Sequence, residues 1–342
     1  MPNSNSYKLS FFLLLLILVI CFFGNISLGS VSIPLKETVN SLLGYSSNEE
    51  WQYIIRNLRL PKAFTAILVG SGLGISGLLM QTLFRNPLAG PFVLGITSGA
   101  SLGVALVIMG ASIFGGFFAT LLISKWSIVI AASLGSFLVL MVVLIVSAKV
   151  RDTMAILIIG LMFGSITAAV VSVLSYFSSA EQLQQYIFWG FGSLGNLSWN
   201  ELFIFFLIYC IGIILSIVSI KSLNTLLLGE NYAKSLGLNI KQSRLTIIIA
   251  TSLLAGTITA FAGPIAFIGL AIPHMTRQIF NTSNHKILLP AVFLFGAIIM
   301  LICDSIAQLP TSDYTLPINA ITSLIGAPVV IWLLVRKRNM MF

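Results

Sequence analysis

LLLGENYAKSLGLNIKQSR, residues 226–244, is a compact polar module set between two long hydrophobic halves of the chain. Residues 230–236 read as a short helix bounded by Gly229 and Gly237. Glycine is the residue best suited to a left-handed C-terminal cap, and Glu230 with Lys234 makes an i,i+4 pair. Asn239 and Gln242 then stand in capping-box spacing and start a second helix that runs into apolar sequence. Two helices joined at a glycine corner predict a rigid knob, and the competing reading is an ordinary solvated loop. The sequence on either side decides between them.

Apolar residues make up 58% of the 342 and charged residues only 8%, against roughly a quarter charged in soluble domains. That balance predicts an all-α polytopic membrane protein, with residues 1–342 forming one transmembrane domain in the lipid bilayer. The net charge of +9 is spread singly between hydrophobic runs, without the basic stripe that phosphate-backbone binding needs, so nucleic acid is not an expected partner. Cys21, Cys210 and Cys303 lie inside apolar runs and form no CxxC, which indicates neither a disulfide framework nor a zinc site. Lys8 followed by the run 9–23 could open a secretory signal, but Ile20 is too bulky for a small-residue cleavage position before Cys21. The run is expected to be a retained first helix.

A span needs about 20 apolar residues. Runs of that order are centred on 9–29, 62–83, 92–110, 126–148, 153–176, 202–220, 245–262, 264–280, 287–308 and 316–335, predicting ten helices. Residues 111–124 are apolar too and could form a re-entrant segment. With the N-terminus inside, 13 of the 18 basic residues fall on the cytoplasmic side, so both ends are expected inside and the module at 226–244 is expected to be a cytoplasmic loop. Lys36, Arg56, Arg59, Lys62 and Lys125 then fall outside. Residues 30–60 and 179–200 become external segments. In the first, Pro34 can start a helix whose Leu35, Val39, Leu42 and Leu43 share a face along the membrane boundary. The second carries Trp189 and Trp199, aromatics expected at an interface.

Small residues recur every fourth position: Gly70 and Gly74; Gly95, Gly99 and Gly103; Gly160, Gly164 and Ala168; Ala255, Thr259 and Gly263. Such stripes let helix backbones approach closely. With Thr97, Ser98 and Ser101 between them they also suit a pathway lined by small polar groups, and the pattern fits both. Pro87, Pro91, Pro264, Pro273, Pro317 and Pro328 sit at or inside predicted spans, where each kinks or ends a helix. Gly90-Pro91 and Gly263-Pro264 form a weak internal echo on opposite sides, as an inverted repeat requires.

Asp304 is the one acid clearly within a span. An intramembrane ionisable residue is a functional candidate by default, and near a helix end it also serves as an anchor or ion-pair member. His274 is the one histidine placed in a span, so a relay of buried carboxylates and histidines for proton coupling is not expected. No nucleophile–base constellation, HExxH or metal cluster occurs. The dipeptide Gly-Lys is absent, so the chain lacks the phosphate-cradling GxxxxGK[ST] loop. If ATP energises transport, a separate subunit must split it, and the cytoplasmic knob is the natural contact. A gradient-driven secondary carrier acting alone, and an intramembrane enzyme, are the competing classes.

The ordered motifs LRLPK (58–62), NPLAGPFVLGITSGA (86–100), GENYAKSLGL (229–238), GPIAFIGLAIPHMTR (263–277), LLP (288–290) and LPINAITSLIGAPVVIWLL (316–334) resemble the FecCD type. These are permease subunits of type II ABC importers for ferric siderophores, haem and vitamin B12. The resemblance runs from about residue 57 to 334. It implies a ten-helix subunit of the bacterial inner membrane, pairing with a second copy or a paralogue around a translocation path. A periplasmic binding protein delivers the cargo, and two cytoplasmic ATPase subunits carry ATP and magnesium. This chain itself binds no cofactor and performs no catalysis. Gly229, Glu230, Ala233, Lys234, Leu236, Gly237 and Arg244 match the ATPase-docking loop. Arg56 and Arg59 fall where basic residues receive the binding protein, and Gly95, Thr97, Ser98, Gly99, Gly160 and Gly164 are assigned to path or packing. Three positions depart from the family: Gln308 stands where an Arg commonly follows the helix-nine Asp, Lys62 where Arg is usual, and Asn319 where Gly is typical.

Overall fold

The computed structural model describes residues 4–45, 48–110, 124–149, 153–195, 197–310, 312 and 314–335, and every regular element among them is helical. The elements are α1 (Ser4–Ser27), α2 (Leu35–Leu43), α3 (Glu49–Leu83), α4 (Ile96–Ile108), α5 (Lys125–Lys149), α6 (Thr153–Phe177) and α7 (Ala180–Gly190). They continue with α8 (Trp199–Val218), α9 (Ile220–Leu226), α10 (Glu230–Ser235), α11 (Ile240–Ala262), α12 (Ile268–Phe280), α13 (His285–Ala307) and α14 (Ile318–Val335). Within α3 the turns at Ile54–Arg59 are π-helical.

Each of the ten apolar runs contains a helix, and among the described residues seven helices are long and apolar enough to cross a membrane: α1, α3, α5, α6, α8, α11 and α13. Two of the others, α4 and α12, are short because the backbone is broken before them. Gly90-Pro91 leads into a 3-10 turn at Pro91–Leu94, and Gly95 at φ 73° starts α4, which has 13 residues. Gly263-Pro264 leads into irregular chain, and Phe267 at φ 66° starts α12, also of 13 residues. Hydropathy registered both stretches as continuous spans because the break residues are themselves apolar. The two Gly-Pro sites therefore share one local device, a left-handed residue that restarts a short helix. At the second, the Ala266 amide donates to Asn319 Oδ1 at 3.0 Å, so the atypical asparagine satisfies backbone freed by the break. The segment 111–123, where a re-entrant turn was expected, lies outside the described residues.

The chain divides into two compact units: Met1–Leu78 with Ser193–Leu207 and Ile265–Phe342, and Leu79–Gly192 with Ile208–Pro264. In the first, α1 packs on α13 through Leu14, Ala291 and Ile298, with Phe280 of α12 and the rings of Tyr7 and Phe11 closing the end of the contact nearest the α1 N-terminus. The predicted stripe on α3 is a crossing point. Gly70 lies against Gly296 of α13, Gly74 against Val292 and Ile272, and Gly77 against the Gly269 carbonyl of α12. A methyl group at Gly77 would overlap that carbonyl. In the second unit, α4 sits against α5 by the same means, Gly99 on Gly135 and Gly103 on Ala131. Ala100, Val104 and Ile108 complete a core with Val129, Ala132 and Ala260.

Candidate functional site

The knob at 226–244 forms as the sequence dictates. Helix α10 ends in a Schellman cap: Gly237 takes φ 82°, its amide donates to Lys234 O at 2.9 Å, and the Leu238 amide reaches back to Ala233 O at 3.0 Å. Asn239 Oδ1 accepts from the Gln242 amide at 3.1 Å and starts α11. Ala233 is fully buried, so α10 has one anchored face.

Two side-chain contacts fix the knob onto its own stem. The Arg244 guanidinium, 7% exposed, donates to Glu230 Oε1 at 3.0 Å and joins α11 to α10. Ser243 Oγ donates to Ser222 Oγ at 3.2 Å and joins α11 to α9. Glu230, expected to pair along its helix with Lys234, reaches across to Arg244 instead of acting only locally; Lys234 is exposed. On the outer side, Leu228, Tyr232 and Leu236 are 59%, 57% and 59% exposed. Tyr232 and Leu236 stand one turn apart along α10 and form a short apolar ridge, while Leu228 precedes Gly229 (φ 99°), outside the helix. Leu236 was a candidate from sequence; Tyr232 was missed, although its four-residue spacing to Leu236 was the available signal.

Asp304 is held by three groups. Lys62 Nζ lies 3.1 Å from Oδ1, while Asn25 Nδ2 and Gln308 Nε2 donate to Oδ2 at 2.9 and 2.7 Å. Asn25 also donates to Ser305 Oγ and the Leu301 carbonyl. The acid thus ties α1, α3 and α13 together. Gln308, which stands where an Arg is common in the family, is buried and serves this cluster.

The two arginines assigned to docking separate in the structure. Arg59 is 9% exposed and donates to the carbonyls of Ile26 and Ser27 at 2.9 and 2.8 Å, and to that of Val31. Its donors are turned inward onto carbonyls at the end of α1 and in the loop just after it. Arg56, half-buried, donates to the Ser41 and Leu42 carbonyls at 3.0 Å each, closing the C-terminus of α2. The Trp199 indole donates to the Arg56 carbonyl at 3.0 Å.

Of the path-or-packing residues, Gly95, Gly99 and Gly160 are in helix contacts: a methyl on Gly95 would press on the Gly160 carbonyl at 3.0 Å, and Gly160 faces Val93. Gly164 is looser, with only the Ser98 hydroxyl nearby at 3.3 Å, and Thr97 and Ser98 are half-buried. His285, taken from sequence as lying in a loop, is the first residue of α13 and is buried. Among the described residues no group of three or more His, Cys, Asp or Glu side chains could hold a metal ion.

Seven membrane-length helices among the described residues, short helices after broken backbone and a polar helical corner define a polytopic membrane protein of the transporter-permease class. Residues 16–336 match the FecCD transport family, and the chain belongs to that family. The hemin transport system permease protein HmuU of Yersinia pestis is 35% identical over 327 residues, covering 95% of both chains. The vitamin B12 import system permease protein BtuC of Klebsiella pneumoniae is 36% identical over 315 residues, covering 88% of this chain and 91% of the relative. Among solved structures, a metal-chelate type ABC transporter in an inward-facing conformation superposes with a TM-score of 0.83 at 33% identity, over 96% of this chain and 99% of that one.

Proposed function

We propose that this chain is the membrane-spanning subunit of an ATP-driven importer for haem, a corrinoid or another metal chelate. Cargo arrives on a periplasmic binding protein, and two copies of a separate cytoplasmic ATPase drive the cycle. The relatives that transport hemin and vitamin B12 support the cargo class. The observation that carries the reading is the exposed ridge of Tyr232 and Leu236 on α10, with exposed Leu228 just before the helix. Large apolar side chains exposed together on a rigid polar knob have no reason to face water, and they suit a protein partner whose interface core is apolar. The Schellman cap and the Glu230–Arg244 pair make the knob rigid enough to pass a push into α11, which a floppy loop could not do. On this reading the permease does no covalent chemistry. Two copies, or this chain and a paralogue, enclose a path to which Thr97, Ser98 and Gly164 contribute small polar surface.

A gradient-driven carrier is less well supported, because the intramembrane acid Asp304 is engaged by Lys62, Asn25 and Gln308 and ties α1, α3 and α13 together. The test is reconstitution with the ATPase and the binding protein. Tyr232→Ala is expected to lower cargo-stimulated ATP hydrolysis and ATPase retention at least tenfold while the permease inserts normally. Unchanged coupling in Tyr232→Ala, or uptake that proceeds without ATP, would overturn the proposal. Uptake compared between haem, a ferric siderophore and cobalamin then selects the cargo.

A further inference from the structure

Helix α2 divides its nine residues into three sectors, and the division identifies what covers it. At about 100° per residue, Thr38 and Ser41 fall together and are fully buried against the protein. Lys36, Glu37 and Asn40 form a polar sector, with Asn40 Nδ2 donating to Glu37 Oε1 at 3.4 Å. Between these, Leu35, Val39 and Leu43 occupy a sector of roughly 80° and are 56%, 37% and 64% exposed. Leu42 lies beside them and is half-buried. The usual order for a helix on a soluble protein is inverted: the small polar side chains face the protein and the large aliphatic ones face outward.

We propose that α2 is an interfacial helix whose Leu35, Val39 and Leu43 edge enters the bilayer at the C-terminal end of α1, with acyl chains as the occupant of that edge. Continuity supports lipid over a protein partner. The preceding span α1 is only 17% buried, and its exposed leucines and phenylalanine lead through exposed Leu28 and Val31 directly to α2. Tyr45 and Tyr53, 79% and 62% exposed, follow at the same end, the residue type that populates the headgroup level. The three-sector order is also what a helix lying flat at a protein wall needs: one side on the wall, one in water, and one edge in the apolar layer. Arg56 sets the pose. Its guanidinium closes the Ser41 and Leu42 carbonyls, and Gly44 at φ 87° ends the helix beside it, so the chain turns back into α3 with α2 held.

The inference depends on membrane insertion and not on importer activity, so it is read on the full-length permease alone. With Cys21, Cys210 and Cys303 replaced by serine, Leu35→Cys, Lys36→Cys, Val39→Cys, Asn40→Cys and Leu43→Cys are spin-labelled in turn. Each is reconstituted in vesicles of phosphatidylethanolamine and phosphatidylglycerol. Labels at 35, 39 and 43 are expected to show a severalfold higher ratio of oxygen to nickel-chelate accessibility than labels at 36 and 40. Equal water accessibility at all five positions would overturn the proposal. So would labels at 35, 39 and 43 shielded from both reagents, or shielded only when a binding protein is added, since either marks a protein-covered face.

Discussion

The Lys62 ammonium stands 3.1 Å from an Asp304 carboxylate that is 2% exposed, and the same carboxylate accepts hydrogen bonds from Asn25 and Gln308. A charge so placed is tolerable only because its oxygens are filled from three sides. The consequence is asymmetric: losing Lys62 alone leaves an uncompensated buried charge, while losing both removes the charges and costs only the amide hydrogen bonds that Asn25 and Gln308 make to the carboxylate.

Lys62→Met is therefore expected to destabilise the permease by about 3 kcal/mol, the lower end for breaking a buried pair, since Lys62 keeps some exposure. Combining it with Asp304→Leu should recover part of that loss, the remainder being the amide hydrogen bonds of Asn25 and Gln308 that lose their acceptor. Thermal unfolding in detergent, followed by thiol-reactive fluorescence or by loss of the monodisperse peak, reads both. Additive losses in the double variant would show that the pair is not coupled as the geometry requires.

For Arg59, the prediction separates a structural tie from a docking charge. Two carbonyls from the end of α1 and that of Val31 in the loop after it converge on Arg59, and leaving them unpaired costs about 1–3 kcal/mol for each group not rescued by water. Arg59→Ala should lower the unfolding temperature and leave the salt dependence of binding-protein association unaltered. A presented docking charge behaves in the opposite way, changing association rate and its salt dependence with little effect on stability.

How much of this could be read in advance depended on range. Caps, corners and apolar periods are local, and so Asn239, Gly237 and the helical content of all ten runs follow from neighbours a few residues away. The polar clusters join residues far apart in the chain: Asn25 to Asp304, Lys62 to Asp304, Glu230 to Arg244. Nothing in the local pattern distinguishes an arginine that folds inward, as Arg59 does, from one that projects, and charge counting placed Arg56 and Arg59 together although only their surroundings define them. The shortening of α4 and α12 was hidden for another reason: an apolar residue in a left-handed conformation, such as Phe267, has the same hydropathy as one in a helix.

Close approach makes Gly77 sensitive. The Gly269 carbonyl occupies the space a methyl would need, and both atoms belong to backbone that cannot swing away. Gly77→Ala is expected to separate α3 from α12 and to reduce folded yield severalfold. Gly70→Ala and Gly296→Ala meet at one crossing, so their combined cost should fall short of the sum. Yield and unfolding temperature of the single and double variants check both statements.

Gly237 offers the sharpest test of the knob, because space and conformation are separated there. A side chain at Gly237 would meet nothing within 4 Å, yet the backbone sits at φ 82°. Any cost of substitution is therefore conformational, about 1–2 kcal/mol for an ordinary residue and more for a β-branched one. Gly237→Asn, which tolerates the left-handed region, should retain the Schellman cap and most of the ATPase coupling. Gly237→Val should loosen the α10 to α11 corner, tilt the ridge of Tyr232 and Leu236, and lower cargo-stimulated ATP hydrolysis well below that of the Asn variant. Membrane insertion and unfolding temperature are expected to stay near wild type in both, since the corner lies outside the spans. Equal coupling in the Asn and Val variants would mean that the ridge does not depend on the cap to hold its position.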